Sequence, residues 1–287
     1  MFDHMKTPLV GAIFFLLILN CYSQDNLATK KYTKSHKRKF LVSWGGNRAV
    51  YSKSNITFKG RGYKFTIQNA TAGDKPKGWH IDYVNPSRMT IPQTNLKLGY
   101  FISDHYAVSI GVDHMKYVMT NNKSRVIDGF IKLPSEDAGA VFNGAYNHEE
   151  LIVSKPFLRF EHTDGLNFIF SEIARYDDIS SLFHIQNTDK FQLNIIEAFG
   201  AGILYPKTNS TLFNRERHDA FHLSGFGISA SAGLNLTFFK HFYIQCDIKG
   251  GYINMGDIRT TPNTGESASQ QFFFAESIFS IGGLFRV

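Results

Sequence analysis

The sequence predicts an all-β protein, an antiparallel up-and-down transmembrane β-barrel of about ten strands (within 8 to 12), and three observations predict it. An apolar run near the N-terminus has the length of an export signal, and period-two alternation of apolar and polar residues recurs to the last residue. The polar face of the cleanest strand is glycine, serine and asparagine, which suits a crowded barrel interior better than a water-facing wall. Composition agrees. Of 287 residues, 43% are hydrophobic, 15% aromatic (27 Phe, 13 Tyr) and 19% charged, where soluble domains carry roughly a quarter charged. This excludes intrinsic disorder and disfavours an ordinary soluble enzyme surface. A mean hydropathy of −0.19 excludes a polytopic helical membrane protein.

Residues 1–23 read as a cleaved signal peptide: Lys6, then the apolar run Leu9 to Leu19, then Cys21 and Ser23 at the positions small residues occupy before a cleavage site. The run is too short to cross a bilayer as a helix. An acylated Cys21 is disfavoured by Asn20 before it. Cleavage would leave Cys246 alone, so no internal disulfide is expected. Residues 24–37 form a basic leader, and six Lys/Arg fall within 30–39. A solvated leader or contact with anionic lipid headgroups is expected of it. Nucleic acid is not an expected partner for an exported chain. The barrel occupies 38–287, the formal net charge is +7, and no cofactor or metal ligand spacing is present.

Gly225 to Phe238 gives the clearest strand. Phe226, Ile228, Ala230, Ala232, Leu234, Leu236 and Phe238 share one face, and the intervening residues are Gly, Ser, Asn and Thr. Twelve steps of about 3.3 Å, tilted by about 40°, project to about 30 Å, the height of a bilayer core. Comparable alternation places ten strands in all, near 38–50, 62–69, 90–102, 105–119, 149–162, 166–176, 190–205, 222–239, 242–255 and 271–287. The last strand ends with the chain, Phe285 two residues from its end. The stretches 51–61, 70–89, 120–148, 206–221 and 256–270 read as loops. Tight turns are expected at Ser103-Asp104-His105, Thr163-Asp164-Gly165 and Lys240-His241. Barrels of this class put short turns on one side and long loops on the other. Three tight turns on one side break that parity between 165 and 222, so either one faces outward or a strand is hidden in 124–133 or 177–189.

Phe40 to Tyr51 (FLVSWGGNRAVY), Ser52 to Ile56, and Gly60 to Thr66 (GRGYKFT) resemble the opening of a family of outer-membrane β-barrel proteins from Bacteroidetes-type bacteria. Asn85-Pro86, Ile91-Pro92-Gln93, Asp113 to Tyr117 (DHMKY) and Glu161 to Asn167 (EHTDGLN) are similar to its later blocks, and the likeness covers most of 38–287. The chain departs from it at Gly46, where an aromatic is expected. The resemblance implies a barrel integral to the bacterial outer membrane, and it brings no established activity and no catalytic residue.

Six residues are candidates for lumen or rim function: Asp113, His114, His162, Asp164, His218 and His222. Alternation puts Asp113 on the interior face, with Arg159 or Arg175 as partner, and turns His114 outward to the rim. Asp164-Gly165 suits turn chemistry, with an acid–base pair to His162 as the alternative. His218 and His222 could meet Ser224 but sit among loop charges. The expected function is a non-enzymatic outer-membrane barrel, serving as envelope protein, narrow pore or binding platform. The alternatives are a lipid A or phospholipid acyl hydrolase or transferase, and an accessory barrel of a secretion or assembly machine. Expected partners are outer-membrane lipids, lipopolysaccharide and the barrel-assembly machinery; sequence leaves the oligomeric state open.

Overall fold

A computed structural model describes residues 36–78, 80–84 and 92–286; the export signal and the leader up to residue 35 lie outside the described residues. Fifteen strands form. They are β1 (Phe40–Tyr51), β2 (Ser54–Gly60), β3 (Tyr63–Ala70), β4 (Ala72–Gly73), β5 (Thr94–Phe101), β6 (Tyr106–Met119), β7 (Ser124–Ile131), β8 (Gly144–Ile152), β9 (Leu158–Asp178), β10 (Phe191–Leu204), β11 (Lys207–Leu212), β12 (His218–Phe221), β13 (Gly225–Phe238), β14 (Phe242–Arg259) and β15 (Ser267–Phe285). All pairings are antiparallel. Eight strands, in the order β1-β5-β6-β9-β10-β13-β14-β15, close a ring when β15 pairs back onto β1, from Phe40 opposite Phe285 to Tyr51 opposite Phe274. Closure removes the free edges that an open sheet exposes.

The remaining strands stand on one end of this ring. β2 continues the line of β1 along β15, and β3, β7 and β8 follow it side by side. β11 continues the line of β10 along β9, with β12 folded back on it. We call this end the loop side. The opposite, turn side holds the connections 102–105, 179–190 and 239–241. In the first, Ser103 Oγ accepts from the His105 and Tyr106 amides at 3.3 and 3.0 Å. In the last, Phe239 and Lys240 take positive φ of 51° and 72° to reverse the chain tightly.

The expected barrel class is therefore correct, but the described residues form fifteen strands against about ten, of which eight close the ring. One misreading broke the expected parity. Thr163-Asp164-Gly165 is no turn, because β9 runs unbroken for 21 residues. Opposite it, Met115 pairs with Leu166 and Tyr117 with His162, so residues 163–165 bulge against Lys116 alone, with Gly165 at φ 128°. The residue types that suit a tight turn also suit a bulge. Removing this turn restores parity in the ring, whose connections 102–105, 179–190 and 239–241 all fall on the turn side. The expected strand 149–162 divides between β8 and the start of β9, and the stretches read as loops contain β2, β4, β7, β11 and β12, of which β7 is the hidden strand allowed for in 124–133.

Alternation in the ring is as the sequence implies. On β13, Phe226 and Ile228 face outward and Ser229, Asn235 and Thr237 are buried inside. Ile110, Phe199, Ile248, Phe279 and Ile281 continue the outer apolar belt. Aromatics mark its margins: Phe40 beside Tyr100 and Phe285 on the turn side, Tyr252 beside Phe273 and Tyr205 beside Phe221 on the loop side. On β15 the belt runs from Phe273 to Phe285, about 40 Å of strand and about 30 Å in height when tilted by about 40°. Arg175 and Glu197 face one another across strands near the turn-side edge. At Gly46 a side chain would strike the Tyr83 ring 3.0 Å away.

Candidate functional site

Three layers fill the barrel. At the turn side, Leu41, Phe101, Tyr176, Ile196, Tyr243 and Leu284 form an apolar plug, on which His36 stacks through Phe101 at 5.0 Å. Burial lowers the His36 imidazole to about 4. Above the plug lies a polar belt. Lys249 on β14 reaches across the lumen to Asp113 on β6 at 2.5 Å, its ammonium also 3.9 Å from the Phe170 ring centre. Lys97 pairs with Glu172 at 2.6 Å, and Gln245 donates to both oxygens of Asp247 at 3.0 and 2.9 Å. The belt extends sideways through the wall as a hydrogen-bonded chain: Asn95 donates to Asp113 at 2.5 Å, Asn47 to Asn95 at 2.9 Å, and Gln93 to Asn47 and Asp74 at 3.1 and 2.7 Å. This chain fills the wall above the end of β5, where Asn47 and Ala49 bond to Gln93 and Asp74 instead of a strand.

The third layer is the large apolar cluster on the loop side, centred on Phe58, Phe65, Phe157, Phe160, Phe213 and Phe272. It closes the lumen from above. Between the two plugs, the cavity beside Asp113, Lys97 and Lys249 measures about 20 Å³, room for about one water.

The sequence-predicted residues are scattered. Asp113 faces the interior as expected, but its partner is Lys249; Arg159 pairs with Glu161 and Arg175 with Asp177 instead. Lys249 was legible only as an interior-phase residue of its strand, since no sequence rule tells which opposite wall it meets. His114 points outward as expected, level with the belt margin at Tyr205, but is buried: its Nδ1 lies 2.7 Å from Asn167 Oδ1. His162 is fully buried and makes no pair with Asp164. Its Nδ1 meets Thr208 Oγ1 at 2.9 Å, its ring lies against Phe160 and Tyr117, and burial lowers it to about 3. Asp164 stands near Arg217 (3.5 Å) and Lys207 (3.9 Å), half in water. His218 lies on β12, its imidazole lowered by desolvation. His222 Nε2 bonds Asp257 at 2.8 Å, and that bond helps hold the Asp257 carboxyl below its ordinary value. Ser224 does not complete a triad: it is buried, and its hydroxyl donates to the His222 carbonyl at 3.3 Å rather than to the ring.

A closed antiparallel ring, apolar outside over a membrane's height and polar inside, defines an integral β-barrel of the outer-membrane type. No family model matches the chain, and no curated relative matches it. Among solved structures it is similar to Ail, the attachment invasion locus protein of Yersinia pestis, at 12% identity and TM-score 0.33 over 87% of this chain and 99% of that one. It is similar also to the outer membrane protein OprG from Pseudomonas aeruginosa (12%, TM-score 0.37, 88% and 99%) and to Neisserial surface protein A (9%, TM-score 0.28, 83% and 95%). Scores this low carry no argument, and the class rests on the chain's own ring closure and wall.

Proposed function

We propose that the protein is a closed, non-conducting barrel of the bacterial outer membrane that presents its loop-side sheet outside the cell as a binding platform. One observation carries the reading: apolar clusters lie on both sides of the charged belt, and the cavity beside Asp113, Lys97 and Lys249 between them measures about 20 Å³. The long connections belong outside because the short turns of such barrels face the periplasm. In support of a non-enzymatic role, the Ser224 hydroxyl donates to the His222 carbonyl and not to the imidazole that pairs with Asp257. Single-channel recording in a planar bilayer tests this. Refolded protein with a heat-shifted band on a gel should show no conductance steps; discrete steps from the same material would overturn the closed-barrel reading.

A further inference from the structure

Where β1 gives way to β2, the ladder against β15 breaks. Tyr51 pairs with Phe274 and Ile56 with Gln270, so residues 52–55 face only 271–273. Ser52 bridges the break: its amide donates to the Phe273 carbonyl at 2.9 Å, and its Oγ accepts from the Phe273 amide at 3.0 Å. Beside it opens a cleft of about 480 Å³, edged by Lys53, Asn55, Asn69, Asn254 and Gln271. That volume lies within the roughly 300–1,000 Å³ of small-molecule sites. Gln270 forms its back. Its amide donates to Ser54 Oγ at 2.8 Å and to the Tyr117 hydroxyl at 2.6 Å, while its Oε1 has no partner among the described residues.

The cleft stands at the membrane shoulder. Down the outer face of β14 and β15, the paired residues are Asn254 with Gln271, then Tyr252 with Phe273, then Gly250 with Ala275. The first pair is polar. The second is aromatic, with rings 5.3 Å apart and Phe273 65% exposed. The third is small: a Cβ at Gly250 would meet only one atom, 3.8 Å away. Carboxamides both donate and accept, which matches sugar hydroxyls; Gln271 Oε1 accepts from the Tyr252 hydroxyl at 2.7 Å, which leaves its amide N–H groups to donate. Aromatic faces offer flat apolar surface to a sugar ring, Lys53 supplies a cation for phosphate, and the small pair leaves a shallow track for an acyl chain.

We infer that this cleft binds the phosphorylated sugar headgroup of an outer-leaflet glycolipid. The inference rests on the loop side facing outward, as the proposed function has it. Apparent affinity for lipid A is measured for the intact barrel in mild detergent, with the Asn254→Leu/Gln271→Leu double variant and, separately, Lys53→Gln. Each variant is first required to show the heat-shifted band. The double variant should bind about tenfold more weakly, from the loss of two neutral hydrogen-bonding groups. Lys53→Gln, which lies in the exposed break, should bind severalfold more weakly even where the double variant does not fold. Unchanged lipid A affinity in folded variants would overturn the inference. So would phosphatidylglycerol binding as tightly as lipid A, or a phosphorylated disaccharide without acyl chains doing so. Labelling whole cells with a membrane-impermeant amine reagent tests orientation separately. Unlabelled loop-side lysines sink the platform reading, whereas labelled lysines with unchanged affinity sink the cleft alone.

Discussion

The strands of the ring and those of the loop-side sheet share one alternation but carry it inside out. Within the membrane belt, the inward residues of β15 include Glu276 and Ser280, while Phe279 and Ile281 face lipid. A few residues up the same strand, Phe274, Phe272 and Ala268 turn inward as core, and Gln271 faces out. β6 makes the same exchange, from Ser109 and Asp113 below to Met115, Tyr117 and Met119 above. β2 and β3, wholly on the loop side, bury Ile56, Phe58, Phe65 and Ile67 and expose Lys59 and Lys64. The solvent sets the sign. Lipid rewards apolar groups outside and leaves the polar ones to find partners within; water does the reverse. A single strand can therefore keep its pleat and swap the character of both faces at the membrane shoulder.

The comparison can be broken most sharply at its two cores. Lys249→Ala leaves Asp113 as an unpaired charge within the barrel, 2% exposed. It should cost about 3–5 kcal/mol of global stability, whereas Asp113→Leu combined with Lys249→Met should recover most of the loss. Urea unfolding in lipid vesicles, followed by Trp fluorescence, measures both. A harmless Lys249→Ala would mean that the belt does not hold the ring together. Phe58→Ala removes a fully buried ring from the loop-side cluster. It should cost about 3–5 kcal/mol within that sheet. Because the ring has its own pairing, proteolysis of the loop side should accelerate while the heat-shifted band persists; loss of both together would show one cooperative unit.

The third effect is smaller and depends on pH. His162 has its pKa lowered from 6.5 to about 3 by burial, so the fold disfavours the charged ring. Its contribution is fully present above about pH 6.5 and declines as pH falls from there toward about 3, by on the order of a few kcal/mol. Hydrogen exchange of β9 and β11 amides across this window, compared between wild type and His162→Phe, should show the steeper loss in wild type. Parallel curves would assign the acid sensitivity to other groups.

Much of the site was hidden because it depends on contacts between distant segments. Asp113 was placed inside because Ser109 and Gly111 share its phase, and that placement is correct. Its partner was out of reach, because Lys249 lies 136 residues away and only ring closure brings the two walls together. The bulge at Asp164-Gly165 reads locally as a turn, since the backbone needs the same freedom in both. The cleft at Lys53, Asn254 and Gln271 has no local signal at all: it arises where one strand slips past another.

By itself the sequence determined the barrel class, the membrane-facing phase of the long strands, and the turns at Ser103 to His105 and at Lys240-His241. It did so because alternation and turn chemistry are local and a bilayer leaves few other ways to satisfy the backbone. Tertiary structure alone decided that eight strands close the ring while seven build above it, that the lumen is plugged, and which charges meet within it. Those outcomes depend on register and on contacts between distant segments, for which a one-dimensional pattern holds no coordinate.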